Sequence, residues 1–231
     1  MKLLEIFGMT ECKSMATPME MNIKKLCGEA ARPDLANPSE YRQLIGALMF
    51  LVNTHPDICY AVNTLSQFMT KLLHVHLIAS KHILRYLYGS ITLGLRYSAR
   101  DVQLHGYTDV DWVGNVINRK STFGFCFRLG SAMISWMRKK QNSVALSAAE
   151  AEYIAASMAS CEEVWLRKLF GELYEQVLDT AVIYFNNKSG IHLEDKLVFH
   201  KNSKHIEIRY YFIQDTVQRG VVRLHHILID E

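Results

Sequence analysis

The sequence predicts an α/β domain with five strands, preceded by a small helical subdomain. Residues 103–138 offer three short strands with turns at 114–120 and at Gly130, which is typical of an antiparallel meander. The remaining segments are predicted as a long amphipathic helix, a buried strand, a helix and a final strand, over 147–174, 181–186, 204–219 and 221–227. Three strands, helix, strand, helix, strand is the order of an α/β sandwich.

The long helix is predicted from one apolar stripe. Its inward-facing members are Ala151, Ile154, Met158, Cys161, Trp165, Leu169 and Leu173. Trp112, Trp136 and Trp165 all lie in strand or helix patterns, so we expect them in the core rather than at a base-stacking surface.

The first part of the chain predicts helices after an irregular lead-in. Residues 1–36 have weak periodicity, whereas residues 37–40 read Asn-Pro-Ser-Glu, with the N-cap, the first-turn proline and the reciprocal glutamate of a helix start. Strand-like alternation begins over 93–97. We therefore predict a mostly helical segment over 1–98 and a second domain over 99–231.

Composition sets limits on the class of protein. The chain has 231 residues, of which 49% are hydrophobic and 21% charged, enough for one good core or two small ones. It contains neither an apolar run long enough to span a bilayer nor a signal-peptide pattern, so we expect a soluble, intracellular protein without membrane contact. Five scattered cysteines argue against a disulfide framework and predict reduced, buried thiols.

Positive charge is concentrated in two segments, although the net charge is only +3. Residues 115–149 contain no Asp or Glu but carry Arg119, Lys120, Arg128, Arg138, Lys139 and Lys140. A second group precedes the last helix, formed by Lys196, Lys201, Lys204 and Arg209 with His200 and His205. Positive fields beside acidic clusters suit a polyanion held over bound cations. Ordinary solvated lysines remain the alternative for either segment alone.

Two acidic clusters are the candidate chemical site. Asp109 and Asp111 close an alternating stretch, and Glu150 and Glu152 lie in the first turns of the long helix. A strand-end carboxylate and a helix-borne carboxylate can meet at a metal, as phosphodiester chemistry with two divalent cations requires. Asp109 and Asp111 could instead cap a turn. We expect Glu150 to point to solvent or to support the helix N-terminus.

Several short motifs of this sequence, taken in their order along the chain, resemble the C-terminal part of the Pol polyprotein of copia-type retrotransposons. The first group looks like the segment after the reverse-transcriptase palm: Tyr41 to Leu48, His55 to Val62 and Ile83 to Leu87. The second group looks like its ribonuclease H domain: Tyr107 to Trp112, Ser121 to Gly124, Ile134 to Trp136, Lys139 to Gln141, Ala149 to Tyr153, Trp165-Leu166 and Lys204 to Ile206. The resemblance is specific because many motifs occur in the same order as in the family.

The resemblance implies a ribonuclease H-like fold, a mixed five-stranded sheet flanked by helices, after a remnant of the reverse transcriptase. It also implies hydrolysis of the RNA strand of RNA–DNA hybrids with two Mg²⁺ ions, or Mn²⁺, held by four carboxylates. Asp109, Glu152 and Glu207 match three of these positions. Asn186 stands at the other, where an amide oxygen brings no negative charge, so metal binding and catalysis should be weakened.

The resemblance also implies partners. Nucleic acid would be contacted by Arg119, Lys120, Lys139, Lys140, Lys204 and His205, and the intact element would supply a polymerase domain. The chain has no Asp-Asp dipeptide, so polymerase activity is not expected. We expect a truncated element copy with an impaired nuclease. The alternatives are a non-catalytic nucleic-acid-binding remnant and a pseudogene-like relic.

Overall fold

The computed structural model describes residues 2–20, 26, 38–98, 103–111, 120–145, 147–175, 178–185 and 204–227, with only the backbone for 204–206. Contacts divide the chain into two compact units, Met1–Gly94 and Leu95–Glu231. The division falls a few residues before the predicted boundary. Tyr97 Oη donates a hydrogen bond to Met133 O at 2.8 Å, which ties the segment after Gly94 to the second unit.

The first unit is built from helices: α1 (Lys2–Ile6), α2 (Pro38–Leu51), α3 (Cys59–Ser66), preceded by a 3-10 turn (Pro56–Ile58), and α4 (His74–Gly89). The core of this unit includes Leu44, Ile45 and Leu48 from α2, all fully buried. Tyr41 is also fully buried, and its hydroxyl donates to Leu65 O at 2.8 Å, so it joins α2 to α3.

Two local predictions for this part of the chain were wrong. Residues 2–6 form a short helix rather than an irregular lead-in. The alternating segment 93–97 forms no strand, because Leu93 and Tyr97 are exposed and strand pairing begins only at Leu104. Alternation without a hydrogen-bonding neighbour does not make a strand.

The second unit follows the predicted order of elements. It consists of β1 (Leu104–Asp111), β2 (Thr122–Leu129), β3 (Ala132–Lys140), α5 (Ala148–Tyr174), β4 (Ala181–Phe185), α6 (Lys204–Gln218) and β5 (Val222–His226). Gly220, with φ at +65°, follows α6 in the left-handed conformation that ends helices.

The five strands form one mixed sheet in the order β3-β2-β1-β4-β5. β1, β2 and β3 pair antiparallel, whereas β4 and β5 run parallel to β1. The prediction of a ribonuclease H-like mixed sheet flanked by helices is confirmed. Parallel β1 and β4 bring the carboxyl ends of these two strands to one edge of the sheet.

The two faces of the sheet have different partners. One face carries Phe123, Phe125, Phe127 and Ile183, which pack with Ala155 and other residues of α5. α6 joins the same side through the cluster Ala156, Tyr210 and Ile213, against which Leu224 of β5 packs. The strand register places a second set on the opposite face, which we name the open face: Arg128, His105, Val182 and Arg223 in one row, and Trp136, Cys126, Tyr107, Tyr184 and His225 in the next.

The predicted stripe of α5 is right in the first half of the helix and wrong in the second. Ala151 and Ile154 are buried, but Cys161 is exposed and Trp165 is 54% exposed. The predicted stripe reaches Cys161 and Trp165 in alternating steps of three and four residues, which average 3.5 residues per turn and so fall behind the 3.6 residues per turn of an α-helix. Over a helix of 27 residues this drift moves the predicted stripe away from the buried face, whose later members include Leu166.

None of the helices in the described part of the chain is long and apolar enough to cross a membrane.

Candidate active site

Asp109 and Asp111 lie at the carboxyl end of β1, and both are exposed. The neighbouring Thr108 is buried on the α5 side, and its hydroxyl donates to Gly124 O at 3.1 Å, which fixes the backbone beside Asp109. Side chains alternate along a strand, so Asp109 belongs to the face opposite α5. A carboxylate of α5 can therefore approach Asp109 only around the end of β1.

The N-terminus of α5 carries a side-chain cap. Ser147 has extended backbone angles, and its hydroxyl accepts a hydrogen bond from Glu150 N at 3.1 Å. Glu150 is buried rather than solvent-facing, so that part of the prediction was wrong. Glu152 is half-buried, one residue before Tyr153.

Gln141 shows that the first turns of α5 and the carboxyl end of β1 lie at the same end of the sheet. Its backbone N–H donates to Ser121 O at 2.8 Å, and its buried side chain donates through Nε2 to Ala151 O at 2.9 Å. Ser121 precedes Thr122, the residue that pairs with Asp111. Gln141 thus connects the start of β2, which pairs with Asp111, to the α5 turn that carries Glu152, the first through its backbone and the second through its side chain.

The sequence indicates no role for Gln141, which appears there only as the last residue of the motif Lys139 to Gln141. The available signal was an uncharged residue directly after two lysines at the end of a strand, where a side chain can bond to backbone groups of the next element.

Glu207 lies in the first turn of α6 and is exposed. Tyr210, one turn later on the same helix face, packs edge-to-face on Tyr153 with ring centroids 6.3 Å apart. Tyr153 directly follows Glu152. The start of α6 is therefore beside the start of α5, and Glu207 belongs to the same end of the unit as Asp109 and Glu152.

Asn186, the position where a carboxylate was expected, lies outside the described residues. The strand before it ends at Phe185, which pairs with Thr108 on β1.

Two lysines accompany the carboxylates at this end of the sheet. Lys140 pairs with Thr122, and Lys120 Nζ donates to Asn142 O at 2.6 Å. Burial, and then the nearby charge of Lys120, hold the pKa of Lys140 below its usual value. The two lysines thus concentrate positive charge at the end of the sheet that carries Asp109 and Asp111.

The other predicted nucleic-acid contacts are placed less fully. Lys139 is an exposed residue of β3. Arg119 lies outside the described residues, and so do the side chains of Lys204 and His205, whose backbone forms the first turn of α6.

The donor chemistry of Asp109, Glu152 and Glu207 suits a hard divalent cation, which prefers carboxylate oxygens. Within the described ranges, no group of three or more His, Cys, Asp or Glu side chains is close enough to hold a metal ion. The described side chains alone therefore do not complete a metal site.

The strand order, the mixed pairing and the two helices on one face define a ribonuclease H-like domain. No protein-family model matches the chain. Among curated proteins, the chain is 40% identical over 226 residues to the retrovirus-related Pol polyprotein from transposon RE1 of Arabidopsis thaliana, covering 97% of this chain and 15% of that protein. It is 36% identical over its full length to the corresponding polyprotein from transposon TNT 1-94 of Nicotiana tabacum, covering 18% of that protein.

A shorter relative matches over most of its own length. Secreted RxLR effector protein 161 of Plasmopara viticola is 46% identical over 128 residues, which cover 54% of this chain and 90% of that protein. The chain belongs to the Pol polyprotein family of copia-type retrotransposons, and it spans less than a fifth of the length of the polyproteins that it matches.

Solved structures with similar folds include ribonuclease H1 from Halobacterium salinarum, with a TM-score of 0.38 at 11% identity over 55% of this chain and 87% of that one. The foamy viral protease-reverse transcriptase in complex with double-stranded DNA has a TM-score of 0.44 at 10% identity, over 91% of this chain and 42% of that one. At these values the fold class rests on the strand order of the sheet itself.

Proposed function

We propose that the second unit is a ribonuclease H domain that binds RNA–DNA hybrid and hydrolyses the RNA strand, weakened by Asn186. Asp109, Glu152 and Glu207 would hold divalent cations, Mg²⁺ or Mn²⁺, together with the amide oxygen of Asn186. The proposal rests on the two hydrogen bonds of Gln141, one from its backbone N–H to Ser121 O and one from its side chain to Ala151 O. They support a position of the carboxyl end of β1, which carries Asp109, near the turn of α5 that carries Glu152.

The charges at this end fit a phosphodiester substrate. Lys120 and Lys140 place positive charge at the same end of the sheet as the carboxylates, which suits the phosphates of a nucleic acid. Arg119, Lys139, Lys204 and His205 are proposed to extend this contact along the nucleic-acid backbone. The carboxylates would otherwise repel phosphate, so a cation between the two is electrostatically required.

The bound cations would supply an activated water and would stabilise the leaving oxygen. The residues of the chain itself have a positioning role: Asp109 is fixed by the strand pairing and Glu152 by the capped helix N-terminus. Loss of either carboxylate should lower cleavage by at least about 100-fold, because two clustered cations need several anionic ligands.

Asn186→Asp tests the predicted weak point. Restoring a negative charge at this position should raise both the affinity for Mg²⁺ and the rate of hybrid cleavage, by about tenfold or more. The measurement is cleavage of a labelled RNA–DNA hybrid across a Mg²⁺ and Mn²⁺ titration. No gain in rate or in metal affinity would contradict the assignment of Asn186 as the weakened ligand.

Asp109→Asn and Glu152→Gln test the site as a whole, and Asp111→Asn is the matched control on the same strand. We expect the first two variants to lose cleavage while Asp111→Asn retains it. Salt-sensitive hybrid binding without cleavage, unchanged by Asp109→Asn, would instead identify a non-catalytic nucleic-acid-binding domain.

A further inference from the structure

The open face of the sheet carries a continuous row of aromatic rings. Tyr107 and Tyr184 stack with ring centroids 5.1 Å apart and an interplanar angle of 21°. His105 also stacks with Tyr184, with ring centroids 6.0 Å apart, and His225 meets Tyr184 edge-to-face at 5.5 Å. The row therefore extends over three neighbouring strands, β1, β4 and β5.

Positive charge flanks this row. Arg128 and Arg223 lie in the next row of the open face, one on β2 and one on β5, and both are exposed. His225 is exposed as well, whereas Tyr107 and Tyr184 are half-buried. Among the described strand residues of this face, the carboxylates are Asp109 and Asp111, at the carboxyl end of β1.

In the described part of the chain, both helices of this unit pack on the other face of the sheet. A covering protein helix would have to take the charges of Arg128 and Arg223 out of water, which costs free energy unless each is paired. A single nucleic-acid strand meets both features at once, since its phosphates pair with arginine and its bases stack on aromatic rings.

We propose that the open face binds single-stranded DNA, with phosphates at Arg128 and Arg223 and bases against Tyr184 and His225. The choice of DNA over RNA rests on the proposed function, because hydrolysis of the RNA strand leaves the DNA strand single. Binding of a single strand to this face does not depend on the carboxylates or on a divalent cation.

The experiment uses the full chain and a fluorescent oligo-dT of about 20 nucleotides, followed by anisotropy in EDTA at several KCl concentrations. The double variant Arg128→Gln/Arg223→Gln should bind about tenfold more weakly. The slope of the logarithm of its binding constant against the logarithm of KCl concentration, the salt slope, should fall in magnitude by roughly 1.4, since each phosphate contact to a single strand contributes about 0.7. Tyr184→Leu keeps the apolar bulk and should weaken binding about tenfold at an unchanged salt slope.

Lys168→Gln/Arg219→Gln is the matched control, because both residues are exposed cations of the same unit outside the sheet, Lys168 in α5 and Arg219 directly after α6. We expect this control to bind like the unchanged chain. Equal losses in the control and in Arg128→Gln/Arg223→Gln, or no loss in either, would overturn the proposal.

Two further arms separate this inference from the proposed function. Asp109→Asn should bind oligo-dT normally even where hybrid cleavage is lost, and a loss of binding would place the strand at the carboxylates instead. Oligo-U should bind no more tightly than oligo-dT, and a clear preference for RNA would overturn the assignment to DNA. Absence of oligo-dT binding together with self-association of the chain would assign the face to a protein partner.

Discussion

Replacing Arg167 should destabilise the second unit more than any exposed charge change. Its guanidinium donates to Leu178 O at 2.7 Å, to Asp179 O at 2.8 Å and to Val221 O at 3.0 Å, and it pairs with Glu163 Oε1 at 3.0 Å. One side chain of α5 therefore holds the segments that enter β4 and β5.

The magnitude follows from the burial of Glu163, whose side chain has no exposed surface. Removing one partner of a buried ion pair leaves an uncompensated charge, and Arg167→Met should lower the free energy of unfolding by about 3–5 kcal/mol. The double variant Arg167→Met/Glu163→Gln should recover part of this loss. Lys168→Gln breaks an exposed pair with Glu172 and should change stability by less than about 1 kcal/mol.

The effect should also depend on pH. Burial raises the pKa of Glu163, whereas the hydrogen bond and charge of Arg167 lower it. Without Arg167 the pKa of Glu163 rises further, so the folded state takes up a proton at a pH where the unfolded state does not. The stability deficit of Arg167→Met should therefore shrink as pH falls through the raised pKa toward the ordinary glutamate value.

The assay is urea unfolding followed by tryptophan fluorescence, which reports the second unit because Trp112, Trp136 and Trp165 all lie in it. A loss for Arg167→Met no larger than that for Lys168→Gln, or a deficit that grows as pH falls, would refute the reasoning.

Three other changes should have distinct signatures. His76 is buried, its Nδ1 accepts a hydrogen bond from Leu73 N–H, and burial lowers its pKa. The unfolded chain therefore takes up a proton at His76 more readily than the folded one, so the first unit should lose stability as pH falls below about 6.5. His76→Gln should flatten this pH dependence in a circular-dichroism titration. Gly106→Ala would place a Cβ atom 2.6 Å from Phe127 Cε1 and should cost about 1–3 kcal/mol, measured by urea unfolding. Ser147→Ala removes the N-cap of α5 and should cost about 1 kcal/mol in the same assay, with no change in the urea m-value.

The strands were predictable because their signal is local. In β2, Phe123, Phe125 and Phe127 alternate with less buried residues. Because successive side chains of a strand point to opposite faces of the sheet, this alternation predicts both a strand and the face that it buries. The parallel pairing of β1 with β4 is not local, since 69 residues lie between Asp111 and Ala181 and the pairing depends on where α5 packs.

The long helix shows where local pattern fails. Glu163 would be assigned to solvent on any apolar scale, yet it lies on the buried face, because Arg167 neutralises it there. Trp165 would be assigned to the core and is instead exposed. A charged pair that is satisfied by backbone carbonyls cannot be recognised before the carbonyls are placed.

The site combines both situations. Asp109 and Glu152 could be predicted as site residues from sequence motifs. Strand alternation, however, puts Asp109 on the face opposite the helix that carries Glu152. The two carboxylates can act together only at the end of the sheet, and there the helix is held by Gln141. Gln141→Leu should therefore reduce the affinity for Mg²⁺ while leaving urea stability nearly unchanged, because it keeps the buried volume and removes the hydrogen bond to Ala151 O. A matched loss of stability, with metal affinity retained in the folded fraction, would show that Gln141 supports the fold rather than the position of Glu152.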